Sequence, residues 1–184
     1  MAKASSQTTN TKNAGMGADD SLLKEYFLDS LKDIHYAEKA ILKALPKMQK
    51  SATSQQLIAA FEDHQKVTEG QVERLKLVFE SIDEKVGSKK CEAIEGLIKE
   101  AESIIEDTEK GTSTRDVGLI MAAQKVEHYE IASYGGLRQL AVTLGYNQAA
   151  DLLQQTLDEE KETDVLLTGI AENDINYQAA GEKE

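Results

Sequence analysis

An all-α fold, a bundle of four long helices paired as two antiparallel hairpins, is predicted by three observations. Apolar residues recur every three or four positions in four long segments, the spacing that places them on one helical face. The connections between these segments run short, long, short. The chain of 184 residues has one proline and no tryptophan, and its body is rich in Ala, Leu, Glu, Lys and Gln, a mixture that favours helix.

The first helix is expected over 21–49, with the stripe Phe27, Leu31, Ile34, Glu38, Ile41/Leu42, Leu45 and Met48. Pro46 lacks a backbone donor and is expected to kink or end it. Residues 51–54 can cap a new start. The second helix, over 55–81, carries Leu57, Phe61, His64, Thr68, Gln71, Leu75 and Val78. A long connection over 82–116 contains its own amphipathic helix, marked by Ala93, Ile94, Leu97, Ile98, Ala101, Ile104 and Ile105. Gly111 to Thr114 then reads as a loop and cap.

The third long helix, over 115–144, has the stripe Ile120, Ala123, Glu127, Glu130, Tyr134 and Leu137. Gly135-Gly136 lowers helix propensity there and is expected to allow close packing or a bend. Gly145 is placed to stop the helix in a left-handed cap. The fourth, over 147–171, carries Leu153, Leu157, Glu160, Asp164, Leu167 and Ala171. Two hairpins joined by one long crossover that holds an extra helix is the ferritin-like form of the four-helix bundle. The domain plan is a disordered, Ser/Thr/Asn/Gly-rich tail over 1–20, the bundle over 21–175, and a flexible polar end over 176–184.

The net charge of −12 argues against nucleic acid or an anionic membrane as partner. No apolar run approaches membrane-spanning length, and the N-terminus lacks the apolar centre of a signal peptide. Cys91 is the single cysteine. It rules out an intrachain disulfide and fits a reducing compartment, with a packing role favoured over a reactive one.

Six polar residues interrupt the apolar stripes: Glu38, His64, Glu127, Glu130, Glu160 and Asp164. A buried carboxylate is costly unless a cation or partner compensates it. If the short loops centre near 52 and 147, Glu38 lies level with 66, Glu130 with Asp164, and Glu160 with Tyr134. The halves also repeat weakly. A shift of 92 sets Glu38 on Glu130, and a shift of 96 sets His64 on Glu160.

Carboxylates with an imidazole suit iron or manganese, and zinc less selectively. Glu127-x-x-Glu130 puts two acids on one face, where they can bridge a metal pair. Two divalent ions would bring five carboxylates near neutrality. Each residue has an ordinary reading beside this one. Glu160 sits in an acidic run, Asp164 could face solvent, and His64 could be a core histidine satisfied by Thr68 and Gln71. His35 and His128 lie beside the stripes as packing or supporting residues, and Tyr129 and Tyr134 as core aromatics.

Several segments resemble the YciF/YciE family of bacterial stress proteins. They are Asp33-Ile34-His35-Tyr36-Ala37-Glu38-Lys39, Glu62-x-His64-x-x-x-Thr68-Glu69, Lys90 to Ile98, Ala122 to Gly135, and Leu157-Asp158-Glu159-Glu160-Lys161. The resemblance spans about 21–171, with its most specific stretch in the third long helix. It implies a ferritin-like, rubrerythrin-related bundle, a homodimer, a bacterial cytoplasmic location and a link to stress. It names no reaction and no redox partner.

The chain departs from the standard ferritin-like ligand set. Phe61 stands three before His64, and Thr163 three after Glu160, so no Glu-x-x-His pair occurs on either helix. The expected function is a stress protein with a carboxylate/histidine di-metal centre that acts on dioxygen or peroxide. The alternative is a non-catalytic helical dimer with a structural or interaction role.

Overall fold

The computed structural model describes residues 21–183. The expected tail over 1–20 lies outside them. The described chain is all helical, with α1 Leu22–Ser51, α2 Gln55–Ser81, α3 Glu92–Asp107, α4 Ser113–Leu144 and α5 Asn147–Ile170. One π-helical turn, Ala171–Ile175, carries α5 into a short α6, Asn176–Gly181.

α1 pairs with α2, and α4 with α5, as two hairpins. The hairpins face each other through α1 on α4 and α2 on α5, and α3 crosses over α1 and α4. This is the ferritin-like bundle. Phe27, Leu31, Leu57, Leu75, Leu119, Leu153 and Leu167 fill its core from all four long helices. Each fully buried Leu or Phe contributes about 1.5–3 kcal/mol relative to leaving it exposed.

The helix ends follow from local chemistry. Ser21 accepts from the Lys24 N–H at 3.1 Å, and Thr112 from the Arg115 N–H at 3.2 Å. Ser54 caps α2, and Gly145 ends α4 with φ +82. Pro46 does not end α1, which runs on to Ser51. Ile41, Leu45 and Met48 are buried on either side of it, so packing carries the helix across the missing donor.

Gly135-Gly136 sits inside unbroken helix, and a Cβ at either position would meet nothing within 4 Å. The close approach lies instead at Gly118, where a Cβ would be 2.6 Å from Ile104 Cγ2 on α3.

Two neighbouring residues tie the crossover and the first hairpin to α4. The buried Arg115 guanidinium donates to the carbonyls of Ile105, at 3.0 Å, and Thr108, at the C-terminal end of α3. The buried Asp116 carboxylate accepts from the N–H groups of Thr53 at 2.8 Å and Ser54 at 2.7 Å, where α2 begins. Each charge meets the helix end of opposite partial charge.

The end after Ile175, expected to be loose, continues as helix to Gly181. Glu182 then accepts from the N–H groups of Ser113 at 2.7 Å and Thr114 at 3.0 Å. A capping interaction with the start of α4 thus extends the ordered end beyond 175.

Candidate metal centre

The stripe interruptions converge because hairpin geometry brings equivalent heights together. His64 on α2, Glu127 and Glu130 on α4, and Glu160 on α5 are all buried. Each presents a ligand atom within 4.8 Å of the others. Glu38 on α1 is fully buried beside them. Its carboxyl meets that of Glu130, as the carboxyl of Glu127 meets that of Glu160. Carboxyl pairs of this kind are hydrogen bonds only when one member holds a proton or a cation replaces it.

Asp164 is not brought into the cluster. It is half-buried, pairs with His128 Nε2 at 3.3 Å and accepts from Gln124 Nε2 at 3.2 Å. Asp has one methylene fewer than Glu, and these two partners hold its carboxylate at the rim. Its charge still reaches Glu127.

Burial dominates the electrostatics. It raises the pKa of Glu38, Glu127 and Glu130 well above the carboxylate range, and the neighbouring acids add to the rise. Glu160 is pushed up to about 7, mainly by burial. The Gln71 and Glu127 hydrogen bonds and Arg74 hold it back. Burial pulls His64 down to about 4, so its imidazole is neutral at ordinary pH. The 3.3 Å contact between His64 Nε2 and Glu127 Oε1 is therefore better read as a hydrogen bond than as an ion pair.

Few protein donors reach the acids. Tyr134 donates its hydroxyl to Glu38 Oε1, and Gln71 Nε2 donates to Glu160 Oε1. His64 Nδ1, Glu38 Oε2, Glu127 Oε2, both oxygens of Glu130 and Glu160 Oε2 are buried without a hydrogen-bond partner. Buried polar atoms are normally satisfied. This concentration of oxygen acceptors with one neutral imidazole fits hard to borderline divalent cations such as iron and manganese.

The supporting residues were only partly legible. Thr68 and Gln71 do not satisfy the His64 ring. Thr68 Oγ1 donates to the His64 carbonyl at 2.9 Å, and Gln71 turns to Glu160. Arg74 grips Glu159 with two bonds of 2.7 Å and also donates to Thr156 Oγ1 at 2.7 Å. Of the acids in the run at 158–160, this draws Glu159 aside and leaves Glu160 facing inward. The Gln71-x-x-Arg74 spacing, two polar groups on one helical face, was the available signal.

His35 Nδ1 lies 2.7 Å from the Gly87 carbonyl and pins the crossover. Cys91 caps α3, with its sulfur 3.1 Å from the Tyr129 hydroxyl. Tyr129 in turn donates to Asp33 Oδ2 at 3.0 Å.

Fold and cluster together define a ferritin-like helical bundle with a buried carboxylate/histidine centre. The family model described as a domain of unknown function, DUF892, matches residues 22–180, and the chain belongs to that family. Protein YciF of Escherichia coli (strain K12) is 49% identical over 158 residues, covering 85% of this chain and 95% of the relative. The crystal structure of the E. coli stress protein YciF superposes with a TM-score of 0.81 at 48% identity, covering 85% of this chain and 99% of that one. YcfI from Rhodopseudomonas palustris gives a TM-score of 0.77 at 40% identity, covering 82% of this chain and 95% of that one. Among the described residues, no helix is long and apolar enough to cross a membrane.

Proposed function

We propose that this chain is a stress-response protein of the bacterial cytoplasm that binds two transition-metal ions in the bundle centre and acts on dioxygen or peroxide. The observation that carries the reading is the convergence of His64, Glu127, Glu130 and Glu160 within 4.8 Å, with several buried oxygens unpartnered. Glu38 completes the set from α1. Iron or manganese fits the donors best, with zinc less favoured.

Bound ions would supply Lewis acidity and, for iron or manganese, electrons toward dioxygen or peroxide. The chain's own residues supply the rest. Glu127 and Glu130, one turn apart on α4, face acids from α5 and α1 and would hold the ions together with them. Tyr134 and Gln71 fix one oxygen each of Glu38 and Glu160, which leaves the second oxygen of each unpartnered. The link to stress rests on the name of the E. coli relative. A homodimer is the proposed assembly, and the adjacent Val165 and Leu166 on α5, 70% and 51% exposed, offer apolar surface for it.

The test is elemental analysis after anaerobic loading with Fe(II) or Mn(II). About two ions per chain are expected, and Glu38→Ala combined with Glu130→Ala should abolish uptake. Stoichiometric absence of metal overturns the reading. A second reading, a metal-free helical dimer with a structural role, is favoured by the donors that Tyr134 and Gln71 already supply. It expects a melting temperature that a chelator leaves unchanged.

A further inference from the structure

Beside the acidic cluster lies a cavity to which α1, α2, α3, α4 and α5 all contribute. Its volume is about 30 Å³. One water needs about 10–15 Å³ on this scale, together with two to four polar partners. The cavity therefore has room for a diatomic molecule, and most of its wall is apolar.

Ile41, Phe61, Ala123, Val126 and Leu167 are among the side chains that line it. Among the described residues, His64 and Glu127 are the only ionisable groups lining it, and Thr163 is the only other polar one. The Thr163 hydroxyl already donates to the Glu159 carbonyl at 3.1 Å. Cavities with apolar walls stay dry and take up xenon or small apolar molecules.

The same His64 and Glu127 belong to the metal-ligand cluster. An occupant of the cavity would thus lie against two side chains that are also placed to hold an ion. We propose that this chamber is a site for a small apolar gas, holding dioxygen against His64 and Glu127. Hydrogen peroxide is the poorer occupant, because most of the wall is apolar and its polar partners are confined to His64, Glu127 and Thr163. The inference rests on the metal-centre reading for its biological meaning and on the cavity alone for its physical content.

The experiment begins with crystals of the chelator-treated protein pressurised with xenon. One xenon atom in contact with Phe61 and Leu167 is expected. No xenon at the site overturns the proposal, whatever the metal content. Ala123→Leu, which fills the chamber, should remove the xenon while leaving metal uptake unchanged. In the Fe(II)-loaded protein it should slow dioxygen consumption by about tenfold or more and leave hydrogen peroxide consumption unaltered.

Equal slowing of both oxidants overturns the assignment to dioxygen. Leu167→Ala, which enlarges the chamber, is a second variant whose xenon occupancy should rise, and unchanged occupancy counts against the chamber. Metal titration of the same samples separates the two readings. Xenon bound without metal uptake supports the gas site and overturns the metal centre.

Discussion

Tyr134 on α4 donates its hydroxyl to Glu38 on α1, and neither side chain has measurable exposure to solvent. The bond crosses between the two hairpins, as does the contact of the Glu38 carboxyl with that of Glu130. Burial and the Glu38 carboxyl raise the Tyr134 pKa well above its ordinary value, so the phenol keeps its proton and remains a donor. Tyr134→Phe should cost about 1–3 kcal/mol in the chelator-treated protein, the penalty for orphaning a buried acceptor. The loss should shrink on metal loading, because an ion then compensates Glu38. Denaturant titration with and without Mn(II) reads both values, and an equal loss in the two states would separate Glu38 from the metal centre.

The acids set the pH dependence. Glu160 has a folded-state pKa of about 7, above its ordinary 4.5. Its contribution to stability is full below 4.5 and is lost as pH rises through about 7. Glu38, Glu127 and Glu130 are shifted the same way. His64 runs opposite: held near 4 rather than 6.5, it contributes above 6.5 and loses that contribution as pH falls through 4. The melting temperature of chelator-treated protein should therefore fall as pH rises from 6.5 through about 7 and beyond, where the acids act alone. Metal-saturated protein should show a flatter profile over that range, since bound cations hold the carboxylates ionised. Calorimetry across the range checks this, and parallel profiles for the two forms would contradict it.

Asp116→Ala should destabilise the fold without touching the centre. It strips two backbone donors at the start of α2, on Thr53 and Ser54, of a charged and buried acceptor. A loss of about 3 kcal/mol is expected, or roughly 6–12 °C in melting temperature. Metal stoichiometry should stay at the wild-type value, as elemental analysis would show.

Asp164→Asn tests the edge of the site. The residue pairs with His128 and Gln124 rather than with the cluster, so the variant should bind as many ions as wild type. Its affinity should fall by less than about tenfold, the loss of one half-exposed charge near Glu127. Loss of an ion in a titration would place Asp164 among the ligands after all.

The bundle was legible because its signals are local and periodic. Stripe spacing, two short turns and the stop at Gly145 need no knowledge of distant partners. Glu38, His64, Glu127, Glu130 and Glu160 stood out as polar residues on apolar faces, and reflection about each turn brought their heights together. Asp164 stood out for the same reason, but periodicity cannot tell the core from its rim. The roles of Gln71, Arg74 and Glu159 depend on how α2 meets α5, a contact between residues more than 80 apart in sequence. Arg115 and Asp116 were hidden likewise, because each serves the end of a different helix. Helix beyond Ile175 was missed because a distant cap outweighed the local sequence.

The hold of Asp116 on Thr53 and Ser54 bears on where this chain can be opened for grafting. A three-residue surface turn between helices is the usual first choice for an inserted tag or a new terminus. Here an insertion at 52–54 would pull two amides off a buried carboxylate and uncap α2 in the same stroke. The turn at Lys110–Gly111 is the better seam. Gly111 sits there at φ +85 with nothing within 4 Å of where its Cβ would be, and both residues are exposed. A reporter spliced at that point would leave the four long helices and the fastening of the first hairpin intact.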